Sequence, residues 1–280
     1  MRDVSMLLEA LPYIREFHGK TVVIKYGGAA MTSPELKSSF ARDIALLKLV
    51  GMNPVVVHGG GPDISRYSDR LGLEVRFERG LRVTDAPTME IVKMVLVGKI
   101  NKEIVAQLHV AGAPAVGLAG DDGGLILAEK AEGGEADLGF VGRVKAIDPR
   151  VLERLSDFVP VVASVGVDET GQSYNINADT VAGRLAGALG ARKAIFLTDV
   201  EGVYRDFADP ASLISECRLD DLRALIDAGA VGTGMIPKLA AVTDALEHGV
   251  GAAHIIDGRV PHSVLVEIFT ETGIGTKVTA

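Results

Sequence analysis

Two glycine loops carry the first residues able to do chemistry. In Val22-Val23-Ile24-Lys25-Tyr26-Gly27-Gly28 a lysine ends a β-branched run and two glycines follow. That order sets a cation beside exposed backbone N–H groups, a combination suited to a phosphoryl group. A lysine snorkelling from a strand end, with the glycines making a turn, fits the same residues. In His58-Gly59-Gly60-Gly61-Pro62 three glycines lead into a helical pattern. An anion can lie there against peptide N–H groups and the helix N-terminus. A strand-to-helix turn is the plainer use, but it rarely needs three glycines. His58 reads as a buried hydrogen-bonding residue rather than an acid or base. The familiar nucleotide loops are missing: neither Gly19-Lys20 nor Gly98-Lys99 follows a glycine at Walker A spacing, and no G-x-G-x-x-G occurs.

Three later segments add charge. In Arg79-Gly80-Leu81-Arg82-Val83-Thr84-Asp85 either arginine can clamp a carboxylate in a fork, or simply stand in solvent. Asn175-Ile176-Asn177-Ala178-Asp179-Thr180 opens a helix, where Asn177 suits an N-cap and Asp179 a first-turn acid. Gly234-Met235-Ile236-Pro237-Lys238 enters another helix with a lysine in its first turn. A cation there opposes the helix dipole, which favours a functional use.

The elements that position these residues alternate. Apolar β-rich runs at 21–26, 54–58, 115–118, 159–163, 194–197 and 253–256 are separated by helical patterns, the signature of a mostly parallel sheet covered on both faces. Ser33 and Pro34 start one helix, whose face carries Leu36, Phe40, Ile44 and Leu47 as far as Gly51. Others are expected after Gly61 and over 87–111, 177–189 and 237–248. The stretch 120–142, rich in glycine and charge, suggests hairpins beside the sheet, and 171–174 suggests a lobe boundary. Both loops then lie at carboxyl ends of strands, where open α/β sheets bind ligands.

Composition narrows the class. A chain of 280 residues that is 48% hydrophobic can bury a large core. The formal net charge of -8 argues against a nucleic-acid partner. The single cysteine, Cys217, excludes an internal disulfide. No apolar run is long enough to span a bilayer and no export signal is evident, so a soluble cytoplasmic protein without a membrane partner is expected.

The six segments Lys25–Gly28, His58–Pro62, Gly80–Thr84, Asn175–Asp179, Thr198–Val203 and Gly234–Lys238 occur together and in order, and the set resembles the acetylglutamate kinases of the amino-acid-kinase family. The resemblance implies an α/β fold, a three-layer αβα sandwich with a mostly parallel central sheet. It implies an N-terminal helix over 1–19, an acetylglutamate-binding lobe over 20–172 and an ATP-binding lobe over 173–280. It also implies ATP with Mg²⁺ as co-substrate and N-acetyl-L-glutamate as acceptor. Lys25 and Lys238 would neutralise the phosphoryl group in transit, with Asp179 holding both lysines. Gly27, Gly28 and Gly60 would line the phosphoryl path, and Gly60 and Gly61 would touch the substrate. Arg82 would pair with its α-carboxylate and Asn175 with its acetamido group. Thr198, Asp199 and Gly202 would line the nucleotide pocket. A carboxylate acceptor is already ionised at neutral pH, so no general base is required, and no protein metal ligand is named. Relatives that phosphorylate glutamate, aspartate, UMP, carbamate or carrier-linked aminoadipate are alternatives, as is a non-catalytic amino-acid sensor.

The chain ends point to control. Val4, Leu7, Leu8, Leu11 and Ile14 form an apolar helical stripe, with Pro12 expected to kink it. The segment is similar to the N-terminal helix of arginine-inhibited hexameric members of the family. That likeness implies a homohexamer built as a trimer of dimers, with L-arginine as effector and Tyr13, Lys193, His262, Glu267 and Gly275 as its contacts.

Overall fold

The computed structural model describes residues 2–132, 136–206, 208–229 and 231–280, with side chains defined except at 2–7, 29 and 233. Helix α1 (Arg2–Phe17) continues through Pro12. The expected kink does not end the helix, although Pro12 offers no N–H to the preceding turn. Of the apolar stripe, the side chains of Val4 and Leu7 lie outside the described residues. Strand β1 (Thr21–Tyr26) leads to α2 (Pro34–Leu49), where Ser33 accepts the Leu36 N–H as N-cap. Strand β2 (Asn53–His58) runs into α3 (Gly61–Arg70), followed by the hairpin β3 (Phe77–Glu78) and β4 (Leu81–Arg82).

The single helix expected over 87–111 is three pieces. Helix α4 (Ala86–Lys93) passes into a π-helical turn, Met94–Ile100, and then α5 (Asn101–Val110). Beyond these come β5 (Ala115–Leu118), β6 (Ile126–Lys130), β7 (Gly142–Ile147), the short α6 (Arg150–Glu153), β8 (Val159–Ala163), β9 (Val165–Val167) and β10 (Ser173–Asn175). The chain continues through α7 (Ala178–Ala188), β11 (Lys193–Thr198), the small pair β12 (Val203–Tyr204) and β13 (Leu213–Ile214), and β14 (Glu216–Arg218). It closes with α8 (Leu219–Asp227), α9 (Ile236–Glu247), β15 (Ala253–Asp257), α10 (Ser263–Phe269) and β16 (Thr276–Thr279).

Eight strands form the central sheet in the order β14-β16-β15-β11-β1-β2-β8-β5, and only β15–β16 is antiparallel. All six expected strands are in it. A second sheet, β10-β9-β6-β7, takes in the hairpin expected around 120–142. The expected lobe boundary falls in the turn between β9 and β10, while β1 pairs with β11 across it. Among the described residues no helix is long and apolar enough to cross a membrane.

Alternation along β1 decides which layer each side chain enters. Val22, Ile24 and Tyr26 join the core beneath α2, α5 and α10, whereas Val23 joins the core beneath α7 and α9. Each buried aliphatic side chain of this kind contributes about 1.5–3 kcal/mol. Tyr26 stacks on Phe40 of α2 with ring centroids 3.7 Å apart, fixing the end of β1 against that helix. The same period of two turns Lys25 to the α7 side.

Candidate active site

Lys25 therefore faces the first turn of α7, and its Nζ lies 3.0 Å from Asp179 Oδ1. Both side chains are largely buried, and among the described residues Asp179 Oδ1 has no hydrogen-bonded donor besides this charge contact. Asn177 caps α7 by accepting from the Asp179 and Thr180 N–H groups, so Asp179 is locked at the helix start. At the end of β1, Gly28 has φ +58, a left-handed conformation that glycine adopts without strain.

The triple-glycine loop closes the opposite wall. At Gly60 the space beside the Cα, rather than a left-handed φ, favours glycine. A Cβ at Gly60 would stand 2.3 Å from Ile100 Cδ1 and 2.7 Å from Leu96 Cδ2, both from the π-helical turn. That turn thus presses two side chains of one face against the loop backbone, a use in keeping with the occurrence of π turns at functional sites.

Between these walls lies a cavity of about 290 Å³, lined among others by Lys25, Gly27, Gly28, Gly60, Gly61 and Asp179. Arg82 and Asn175 line it as well. Arg82 is only 7% exposed. Its Nη2 donates to the Gly61 carbonyl at 2.9 Å and to Ser65 Oγ at 2.7 Å, and the guanidinium lies 4.7 Å from the Phe77 ring centroid. Burial holds its pKa below the usual arginine range, and Asp69 opposes this only weakly. Among the described residues no carboxylate pairs with it directly. Asn175 Nδ2 donates to Thr84 Oγ1 at 3.2 Å, and Thr84 Oγ1 donates to the Arg82 carbonyl at 2.8 Å. The Asn175 amide is thereby oriented, with its oxygen left to accept. Thr84 and Ser65 escape sequence reading as site residues, because their roles depend on partners far along the chain or one helix away.

The second half of the expected set gathers elsewhere. Thr198 ends β11 beside Asp257, the register partner at the end of β15, and its Oγ1 donates to Asp199 at 3.1 Å. Gly202 packs against Thr276, whose Oγ1 accepts the Val203 N–H at 2.8 Å. Lys238 occupies the first turn of α9, half-buried, and the structure does not bring it to Asp179: among the described residues it has no ion-pair partner. No cluster of three His, Cys, Asp or Glu side chains able to hold a metal ion occurs among the described residues.

A larger cavity, about 650 Å³, opens between α1, α10 and the β15–β16 edge, with Tyr13, Lys193 and Glu267 on its walls. Burial alone would raise the Glu267 carboxyl. The His254 Nδ1–H at 2.5 Å, the Ile274 N–H at 2.8 Å and nearby Lys193 hold it below the usual range. His262 and Gly275, expected with them, do not line this cavity. His262 turns to α2 instead, with Nδ1 2.6 Å from Asp43 Oδ1 and its N–H donating to Ser39 Oγ at 2.8 Å. Gly275 lies against the Ile255 carbonyl, which a Cβ would meet at 2.1 Å. His254 and Gly273 stand in the cavity wall in their place.

Comparison with known proteins gives the family. The profile of the amino acid kinase family matches residues 20–257. The acetylglutamate kinase of Heliobacterium modesticaldum is 57% identical, over 99% of this chain and 98% of its own. The chloroplastic acetylglutamate kinase of Arabidopsis thaliana is 55% identical, over 99% of this chain and 80% of its own. Among solved structures, N-acetylglutamate synthase from Neisseria gonorrhoeae, complexed with coenzyme A and N-acetyl-glutamate, superposes with a TM-score of 0.86 at 26% identity, covering 99% of this chain and 63% of that one. The chain belongs to the amino acid kinase family, among its acetylglutamate kinases.

Proposed function

We infer that the protein transfers the γ-phosphoryl group of ATP to the side-chain carboxylate of N-acetyl-L-glutamate, a step of arginine biosynthesis. One observation carries the substrate choice. A buried guanidinium with no carboxylate partner among the described residues, an oriented amide and a lysine beside glycine backbone all line one small cavity. The α-carboxylate would meet Arg82, the acetamido N–H would donate to the Asn175 oxygen, and the side-chain carboxylate would reach Lys25 and Gly60. A carboxylate oxygen attacks the γ-phosphorus while the bond to the β–γ bridging oxygen breaks. The products are an acyl phosphate and ADP, and no proton is moved. Charge in the loose transition state is met by Lys25 and backbone N–H groups from one side, and by Lys238 once the nucleotide lies along Thr198–Gly202. Magnesium enters with ATP, held mainly by phosphate oxygens and water.

Purified protein with Mg·ATP should convert N-acetyl-L-glutamate to an acyl phosphate that hydroxylamine traps as a hydroxamate. Free glutamate should react poorly, because its ammonium group would face a site arranged for a neutral amide. Equal turnover of glutamate, or turnover of UMP alone, would sink this reading.

The larger cavity supports feedback control by L-arginine. Glu267 offers an ionised partner for a guanidinium or ammonium group, and Lys193 one for a carboxylate. Leu8 and Leu11 of α1 stand 63% and 37% exposed, which favours burial of this helix against another subunit in a hexamer. Arginine is expected to inhibit sigmoidally by weakening acetylglutamate binding. Glu267→Gln should raise the inhibitory concentration, and deletion of residues 1–18 should abolish inhibition and reduce the hexamer to dimers. Inhibition curves and sedimentation check both; a truncated protein that stayed hexameric and arginine-sensitive would contradict the role of α1.

A further inference from the structure

His58 is fully buried at the end of β2 and does not line the small cavity. Its ring is nevertheless engaged at both nitrogens. Nδ1 lies 3.1 Å from the Gly59 carbonyl, and Nε2 lies 3.1 Å from Asn101 Nδ2, the first residue after the π-helical turn. Asn101 is also fully buried, and its Nδ2 donates to the Val161 carbonyl at 2.8 Å. A carbonyl only accepts and an amide NH₂ only donates, so the imidazole must carry its proton on Nδ1 and accept at Nε2. Burial, with nearby Lys102 as a lesser contribution, pushes the ring down to about 4 and keeps it in this neutral form.

The consequence lies one peptide further on. The Gly59–Gly60 peptide is trans, so its C=O and N–H point from opposite edges of one plane. With the Gly59 oxygen turned inward to His58, the Gly60 N–H is turned the other way. It has no hydrogen-bond partner among the described residues, and Gly60 lines the cavity. Leu96 and Ile100 fill the space beside the Gly60 Cα, so the peptide is held by a hydrogen bond at one end and by packing at the other.

We propose that His58 is a positioning residue for phosphoryl transfer: its Nδ1–H bond to the Gly59 carbonyl sets the plane of the Gly59–Gly60 peptide and aims the Gly60 N–H at the transferring group. Asn101 fixes the tautomer that makes this possible. The role rests on the kinase reading above. A donor held in place beforehand need not reorient as charge develops, which is where its catalytic value lies.

Two conservative variants separate the two ends of the ring. In His58→Asn the side-chain NH₂ stands near the Nδ1 position, keeping the bond to Gly59 and losing the link to Asn101. In His58→Gln the amide oxygen reaches Asn101 and nothing replaces the Nδ1–H. His58→Gln should lower kcat on the order of 10- to 100-fold, as small misplacements of catalytic groups do, with both KM values little changed. His58→Asn should retain most of kcat. Binding of ADP with aluminium fluoride and acetylglutamate, a mimic of the transition state, should weaken in His58→Gln by the same factor, while ADP and acetylglutamate each bind normally. Equal losses in the two variants, or losses that follow thermal stability alone, would overturn the proposal. Histidine ¹⁵N spectra of the unaltered protein test it without any substitution: a proton on Nε2 of His58 instead of Nδ1 would also overturn it. An unaltered protein with no activity toward acetylglutamate would count against the kinase reading rather than against this one.

Discussion

Lys25→Ala and Lys238→Ala should each lower kcat by a factor on the order of 100 or more, the usual cost of removing a charge that acts in the transition state. The two variants reach that result differently. Lys25 is half of a buried pair with Asp179 at 3.0 Å, so its removal leaves a carboxylate facing the cavity without a partner. Breaking a buried pair on one side costs about 3–5 kcal/mol, and Lys25→Ala should therefore lose thermal stability together with activity. Lys238 has no such partner among the described residues, and its position in the first turn of α9 opposes the helix dipole. Lys238→Ala should keep or slightly gain stability while losing kcat. Steady-state kinetics and thermal unfolding on both variants check the contrast, and near-full kcat in Lys238→Ala would show that its place at the helix start is not functional.

That contrast also marks what the sequence could convey. Lys25 was readable as a site residue because a β-branched strand has a period of two and glycines follow it directly; its direction toward α7 follows from the same period. Its pairing with Asp179 rests on tertiary placement of α7, which no local pattern encodes. Lys238 stood out through its poor fit to the helix dipole, yet the fold leaves it apart from Asp179. The resemblance supplied the expectation that one carboxylate holds both lysines, and among the described residues this carboxylate pairs with Lys25 and not with Lys238.

The π-helical turn was not legible. Over seven residues, Met94–Ile100, an α pattern and a π pattern differ by less than one residue per turn, and the apolar spacing suits either. Its contacts lie on another element, where Leu96 and Ile100 approach Gly60 and the next residue, Asn101, reaches His58. Strands β14, at the sheet edge, and β16, between it and β15, were missed for a different reason, since Glu-Cys-Arg and Thr-Lys-Val-Thr are short and half polar and gain strand geometry by pairing, β14 with β16 and β16 with β15. Around the larger cavity, Tyr13, Lys193 and Glu267 come together from three separate elements. His262 does not, because its backbone takes a left-handed turn, φ 60, before α10 and sends the ring to Asp43. A motif fixes which residue is present; here the turn before it decides which way the residue faces.

Arg82→Ala should raise KM for acetylglutamate on the order of 100-fold and leave KM for ATP nearly unchanged. The size follows from what the guanidinium would lose. A charge-assisted, forked hydrogen bond to a carboxylate is among the stronger polar contacts, and truncating one partner of a buried charged pair costs roughly 2–5 kcal/mol. Arg82 is already desolvated, already ordered by Gly61, Ser65 and Phe77, and still has guanidinium N–H groups free to donate. Little further ordering is required when the substrate binds, so most of the contact energy appears as affinity. Two structural effects accompany the loss. The Gly61 carbonyl and Ser65 hydroxyl lose a donor, which loosens the start of α3, and the Phe77 ring loses its cation. Arg82→Lys discriminates substrate recognition from this structural role, because lysine keeps the positive charge and can still reach Gly61 or Ser65 but cannot fork onto a carboxylate. Arg82→Lys should therefore keep the thermal stability of the unaltered protein while recovering only part of the acetylglutamate affinity. Equal KM values for Arg82→Lys and the unaltered protein would show that simple charge suffices. An unchanged KM in Arg82→Ala would remove Arg82 from the substrate site and, with it, the main geometric reason for placing the α-carboxylate beside that guanidinium.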